Sequence, residues 1–388
     1  MKPSFAHKVN RGIDMRLTDK NSFMVVGCAT LLLAAAGAAR ADGITTSFSG
    51  YGTVGAAFTS DNNYQFYHDS TEYSGAGHDI DVGLETKLGL QAIVNFGSGF
   101  SVTAQEVARE RGDQAFDLGT EWLYAQYSPD PDWKFRLGRV VLAAFLYSES
   151  RNVGYAAPWF NAPNEIYGAE PAQNLDGGQV VWHHNVGQFG LGLEAAYGSS
   201  TSTTLSAGTA YTTKIKSVNN YAATLDYGSF LFRVSQTTLH IPDSLPLGPA
   251  FVDYFTLNDK FTSAGVQYDD GKAIFLSEYA KRTENNFGPL PIAASQSTEW
   301  YVAGGYRVGK WTPFVRYGVF KPDAGLIYTT AGSYGTPTVT LRYDLVTNVA
   351  LKAEVSRAQA ANGEYFATYN QSVNERVTVV SFGADFVF

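Results

Sequence analysis

The chain has very little cysteine: Cys28 is the only one among 388 residues. An intramolecular disulfide framework is therefore excluded, and stability has to come from packing or from a hydrogen-bonded sheet. Charge is also scarce, at 16%, beside 45% hydrophobic and 14% aromatic residues, which excludes a disordered chain. What charge there is leans acidic, with a net of −8, and six basic but only two acidic residues fall within the first 41. The remainder is more acidic still, so no nucleic-acid partner is expected. Beyond residue 41 no run approaches the ~20 consecutive apolar residues of a membrane helix. That excludes a helical membrane protein but not a barrel, whose strands need only ~9–11 residues of alternating polarity. G-x-S-x-G, H-E-x-x-H, P-loop and C-x-x-C patterns are missing, so neither an enzyme nor a cofactor or metal site is expected.

What is present begins with an export signal. Lys2, Lys8, Arg11, Arg16 and Lys20 precede an apolar run from Phe23 to Ala39, which ends in Ala39-Arg40-Ala41. The pattern predicts a signal peptide over 1–41, started from Met1 or Met15, and one β-barrel domain over 42–388. Cys28 sits early in the apolar run, away from the position a lipid anchor needs.

The rest of the chain reads with period two. In residues 86–96, Leu88, Leu90, Ala92, Val94 and Phe96 share one face, with Lys87, Gly89, Gln91 and Asn95 on the other. Residues 299–308 and 311–320 repeat the pattern. Sixteen such runs are counted, near 44–58, 80–96, 100–109, 119–128, 133–140, 178–185, 188–198, 217–228, 230–240, 260–269, 272–282, 298–308, 311–320, 338–345, 349–358 and 376–388. Tight turns alternate with long polar connections near 59–79, 110–118, 141–177, 199–216, 241–259, 283–297, 321–337 and 359–375. The fold class is thus all-β, a transmembrane antiparallel barrel of 16 strands. Phe96, Phe100, Trp133, Phe230, Trp300 and Trp311 lie near strand ends, where aromatic girdles meet the membrane interfaces.

Gly50, Gly52 and Gly55 spell G-x-G-x-x-G, which marks a dinucleotide site only between a strand and a helix. Phe48, Val54, Ala56 and Phe58 alternate around them with no helix pattern behind, so these glycines are expected to permit close approach within a bent first strand. His183 and His184 are adjacent on a strand and face opposite ways, which argues against joint chelation. Asp130 and Asp132 are read as a solvated hairpin turn.

The final residues, VVSFGADFVF, set Val380, Phe382, Ala384, Phe386 and Phe388 on one face. With the strand count, the alternation of turns and loops and the opening strand FSGYGTVGAAF, the chain resembles the outer-membrane porins of Gram-negative bacteria. The resemblance implies localisation in the bacterial outer membrane, surrounding lipid, a homotrimer, and a C-terminal signal (Phe388, Phe386, Phe382) read by the barrel-assembly machinery. It also implies that the third long loop, 141–177, folds into the lumen; the alternative is an outward cap or a subunit-contact loop. A basic wall (Lys87, Arg109, Arg136) would then face acidic loop residues (Glu149, Glu165) across the pore constriction, with Arg151, Glu170 and Asp176 nearby. Lys87 and Arg109 should lie side by side, with Glu85 opposite Arg111 one step higher. Two departures matter: the loop lacks the Pro-Glu-Phe-Gly-Gly segment of general porins, and a single Arg does not make a phosphate-selective ladder. The implied function is passive diffusion of small hydrophilic solutes and ions; the acidic balance of the chain and of the third loop adds the expectation of a mild cation preference. A substrate-specific uptake channel for sugars or carboxylates, or an adhesin or receptor barrel, stays open beside it.

Overall fold

In the computed structural model the described residues are 43–61, 64–69, 71–72, 74–111, 114–168, 170–206, 209–242, 256–287, 295–322, 334–360, 366–368 and 375–388. The expected signal peptide lies outside them. Among the described residues eighteen strands are formed: β1 (Thr45–Thr59), β2 (Tyr64–Phe66), β3 (Lys87–Gly97), β4 (Phe100–Arg111), β5 (Gln114–Tyr127), β6 (Trp133–Val141), β7 (Asn174–Val186), β8 (Phe189–Ser206), β9 (Thr209–Tyr227), β10 (Phe230–Pro242), β11 (Thr256–Asp269), β12 (Ala273–Phe287), β13 (Ser295–Tyr306), β14 (Trp311–Pro322), β15 (Tyr334–Val346), β16 (Val349–Ala360), β17 (Phe366–Thr368) and β18 (Glu375–Val387). Sixteen of them close into one antiparallel barrel, in which β1 pairs with β3 on one side and with β18 on the other. The short β2 and β17 pair with each other beside it.

The alternation that defines the strands sends its apolar half outward. Along β14, Trp311, Val315 and Tyr317 are exposed while Thr312, Phe314 and Arg316 are buried, and β13 likewise exposes Val302 and Tyr306 but buries Tyr301 and Ala303. A closed barrel satisfies every strand edge, and such an apolar outside is stable where hydrocarbon covers it. Aromatic pairs ring the rim of short turns: Phe100 with Tyr127 at 4.4 Å, Trp133 with Trp182 at 6.4 Å, Phe189 with Tyr227 at 4.8 Å and Trp311 with Tyr343 at 4.5 Å between centroids. At two of these turns glycine supplies the left-handed backbone, Gly187 at φ +61° and Gly228 at φ +60°.

Several strands run longer than alternation marks. Residues 110–111 and 114–118, and 199–206 with 209–216, read as loops, continue the β4–β5 and β8–β9 hairpins. In 199–206 Ser and Thr occupy both faces, so the hydropathy contrast vanishes while the ladder persists. Conversely β3 begins at Lys87, not near residue 80, because 81–86 form a turn in which Asp81 accepts from the Gly83 and Leu84 amides.

Gly50, Gly52 and Gly55 lie within β1, as close approach requires. A Cβ at Gly50 or Gly52 would collide with the ring of Phe388 or Phe386, and one at Gly55 would meet Phe160 and Glu85. Asp130 accepts from the amides of Asp132 and Trp133 and closes its hairpin turn. His184 bonds Asp132, while His183 turns toward Asp226.

Candidate functional site

The segment 142–173 between β6 and β7 is held along its length by side chains of the strands. Its backbone is mostly irregular, with a 3-10 turn at Gly154–Ala156 and one helical turn at Asn164–Tyr167. Irregular backbone leaves carbonyls without intrasegment donors, and buried carbonyls need partners. Lys352 of β16 donates to the carbonyls of Gly154, Ala157 and Trp159 at 2.7–2.8 Å and pairs with Asp385 of β18 at 2.9 Å. Arg342 of β15 donates to Tyr155 and Ala157, and Arg316 of β14 to Asn161. At the segment's start, Arg233 of β10 donates to the Ala143 carbonyl at 2.7 Å, and Ser263 of β11 to that of Ala144 at 3.0 Å. Glu278 of β12 accepts from the Leu146 amide at 2.6 Å. Bonds to charged groups are the strong ones, so these anchors hold the segment firmly.

An apolar cluster completes the seat. Phe145, Trp159, Ile166 and Tyr167 are buried against Phe261, Leu276, Tyr301 and Phe314 of β11–β14. Trp159 meets Tyr301 at 5.9 Å and Phe314 at 6.1 Å, and Phe145 meets Phe261 at 6.1 Å, all edge-on. Tyr301 and Phe314 stand at inward positions of their strands, where alternation calls for polar side chains. They are apolar there because this segment covers them.

The proposed basic wall is divided. Leu88 pairs with Ala108, which sets Lys87 and Arg109 at the next cross-strand position, and both line one cavity. Arg136 stands apart in a polar row, where it donates to Gln126 and Gln179, and Gln179 donates on to Glu194. Glu149 approaches Arg136 at 4.0 Å. Glu165 is buried against Gly318 of β14, away from that wall. The expected pairing of Glu85 with Arg111 is not formed. Glu85 precedes β3 and is bonded by Ser381, Asn161 and His68, while Arg111 donates to Glu121 at 3.1 Å. Arg151 pairs with Glu170 and Arg139 with Asp176.

Two cavities flank this wall. An inner one of about 90 Å³ is lined by Lys87, Arg109, Leu84, Arg151, Trp159 and Phe160 among others, and an outer one of about 230 Å³ by Arg109, Arg111, Arg139 and Thr201–Thr203. Arg109 and Gln173 belong to both, joined by an Arg109 Nη2 to Gln173 Oε1 bond of 3.1 Å. Residues 64–86 also reach the inner cavity through His68, Asp69 and Glu72. Burial alone would push the His68 imidazole down, but the Glu85 and Glu72 carboxylates outweigh it and raise it to about 9. Burial raises the Glu72 carboxyl to about 8. Sequence reading missed Lys352, Arg342, Arg316, Gln173 and His68. Basic residues at polar-face positions of three successive strands were the available signal.

No family model and no curated protein matches this sequence. Solved structures do resemble the fold. The anion-selective porin from Comamonas acidovorans superposes with a TM-score of 0.59 at 12% identity, covering 89% of this chain and 100% of that one. The outer membrane channel DcaP of Acinetobacter baumannii gives 0.59 at 14% identity, covering 89% and 98%. Salmonella typhi OmpF in complex with daunomycin gives 0.57 at 12% identity, covering 89% and 98%. The fold is therefore that of the sixteen-stranded outer-membrane porins.

Proposed function

We propose that the chain is a porin of the bacterial outer membrane, an exported non-enzymatic barrel through which small hydrophilic solutes and ions diffuse passively. The observation that carries this reading is the inversion of polarity: an exposed apolar outside around an inside lined with charged and amide side chains. Such an interior suits water, and such an exterior suits lipid. The signal peptide 1–41 and the terminal Phe388, Phe386 and Phe382 fit export and barrel assembly. A homotrimer is supported by the neighbours, among which Vibrio cholerae OmpT has a trimer form.

In this reading segment 142–173 lies in the lumen and narrows it, supported by its bonds to Arg233, Arg316, Arg342 and Lys352 and its packing on Tyr301 and Phe314. Lys87, Arg109, Arg136 and Glu149 line the constriction, and Glu165 helps to seat the segment. An acidic overall balance supports a mild preference for cations. The preference is mild because Glu170 and Asp176 are paired with arginines and Glu165 is buried. Planar-bilayer recording of the purified protein tests the proposal: stepwise conductance with a slightly cation-selective reversal potential in a KCl gradient is expected. Absence of steps would favour a closed receptor barrel, and clear anion selectivity would overturn the ion preference.

A further inference from the structure

Lys87 and Arg109 occupy neighbouring cross-strand positions, where two like charges repel unless an anion sits between them. Among the described residues Lys87 is in neither an ion pair nor a hydrogen bond. Arg109 has one hydrogen bond, to the neutral Gln173 amide, and its Nε, 4.0 Å from Glu121 Oε1, is buried without a hydrogen-bond partner. A guanidinium carries five donors suited to a planar two-oxygen acceptor, which an amide oxygen does not match.

Nearby carboxylates do not fill this role. Glu85 is engaged by Ser381, Asn161 and His68, Asp69 by Thr71 and Gln173, Glu72 by the His68 amide and Glu110 by Ser74, while Glu121 is bonded by Arg111 and reaches Arg109 only at 4.0 Å. They do set the charge that fits. With Asp69 and Glu85 close by, a second negative charge on the ligand meets repulsion, which favours a monoanion over phosphate. Leu84, Trp159 and Phe160 line the same cavity and offer an apolar side.

We infer that Lys87 and Arg109 form a binding site for a small monocarboxylate with an apolar body, and that Gln173 is the neutral group its carboxylate displaces from Arg109. The ligand enters from the outer cavity, past Arg111 and Arg139, and crosses into the inner one where Arg109 and Gln173 border both. Gln173 keeps its bond to Asp69 at 3.1 Å after it yields Arg109, so displacement costs one neutral contact. Entry through the lumen rests on the channel reading; the binding site itself does not.

Benzoate is the probe, with benzamide as its neutral isostere and inorganic phosphate as the dianionic arm. In bilayers, benzoate is expected to interrupt single-channel current, and benzamide and phosphate are not. Interruptions should shorten on the order of tenfold or more in Lys87→Gln and Arg109→Gln, since each removes a charge-assisted bond. They should lengthen in Gln173→Leu, and Lys134→Gln at the short-turn rim should leave them unchanged. Equal interruption in the Lys87→Gln/Arg109→Gln double variant, or by benzamide, would overturn the site. Were the barrel to show no conductance, the channel reading would fail separately. Titration calorimetry on the detergent-solubilised protein would then decide: benzoate binding lost in Arg109→Gln upholds the site, and no binding to wild type overturns it.

Discussion

Gly52 lies directly across the closing seam of the barrel from Phe386, and the aromatic ring occupies the space that a side chain at residue 52 would need. Gly50 and Phe388 stand in the same relation one step along, joined by backbone bonds of 2.8 and 2.9 Å in both directions. The first and last strands therefore close on glycine facing aromatic ring. Gly52→Val is expected to overpack the seam at a cost of about 1–3 kcal/mol. Urea titration of the folded, heat-modifiable band on gels would read it. Phe386→Ala in the Gly52→Val background should recover part of the loss, and a fully additive double variant would contradict the relation.

Lys352 is fully buried and divides its three donors among loop carbonyls and Asp385. Removing the cation leaves Asp385 and those carbonyls buried without compensation. Lys352→Met is expected to destabilise the barrel by about 3–5 kcal/mol. Lys352→Met/Asp385→Asn should be less damaged than the sum of the single changes, because Thr53 can still bond an amide at residue 385. Denaturant midpoints of the four proteins test this, and strict additivity would count against it.

How much of this was legible beforehand follows from what alternation can carry. β14 could be read from Trp311, Pro313, Val315 and Tyr317 because outward and inward positions differ in polarity. Residues 199–206 could not, since Ser and Thr on both faces give no contrast. Lys87 and Arg109 were placed side by side from the register of one tight turn, a purely local deduction. The grip of Lys352 on residues 154–159 was not, because its acceptors are backbone carbonyls nearly 200 positions away that carry no residue-type signal. Glu85 was given the wrong partner because a turn, not a strand, precedes Lys87.

Trp159 touches Tyr147, Tyr301 and Phe314 and receives the Arg316 guanidinium over its ring at 6.0 Å. No water-exposed substitute can replace that seat. Trp159→Ala is expected to cost about 3–5 kcal/mol of segment docking. Because the strand ladder does not depend on it, the barrel should still form. The visible outcome should be noisier open-channel current and faster protease cleavage within 142–173. A quiet channel with unchanged cleavage would show that the polar anchors suffice alone.

His68 clasps its segment onto Glu85, which Ser381 of β18 bonds at 2.7 Å: the ring meets Glu85 at 3.3 Å, and the His68 amide donates to Glu72 at 2.7 Å. In the fold its imidazole is raised from 6.5 to about 9, so its stabilising charge is fully present below about pH 6.5 and is lost as pH rises through 9. Glu72 is raised from 4.5 to about 8, so its burial costs increasingly as pH rises from 4.5 toward 8. Both effects have one sign: docking of this segment is strongest in mild acid and weakens toward alkaline pH. Limited proteolysis within 60–86 should therefore accelerate between about pH 6 and pH 9.5, with allowance for the protease's own profile from an unfolded substrate. Glu85→Gln removes a carboxylate that raises His68, so its transition should move to lower pH and shrink. A wild-type segment equally protected at both values, or one better protected in alkali, would refute the assignment of His68 as the clasp.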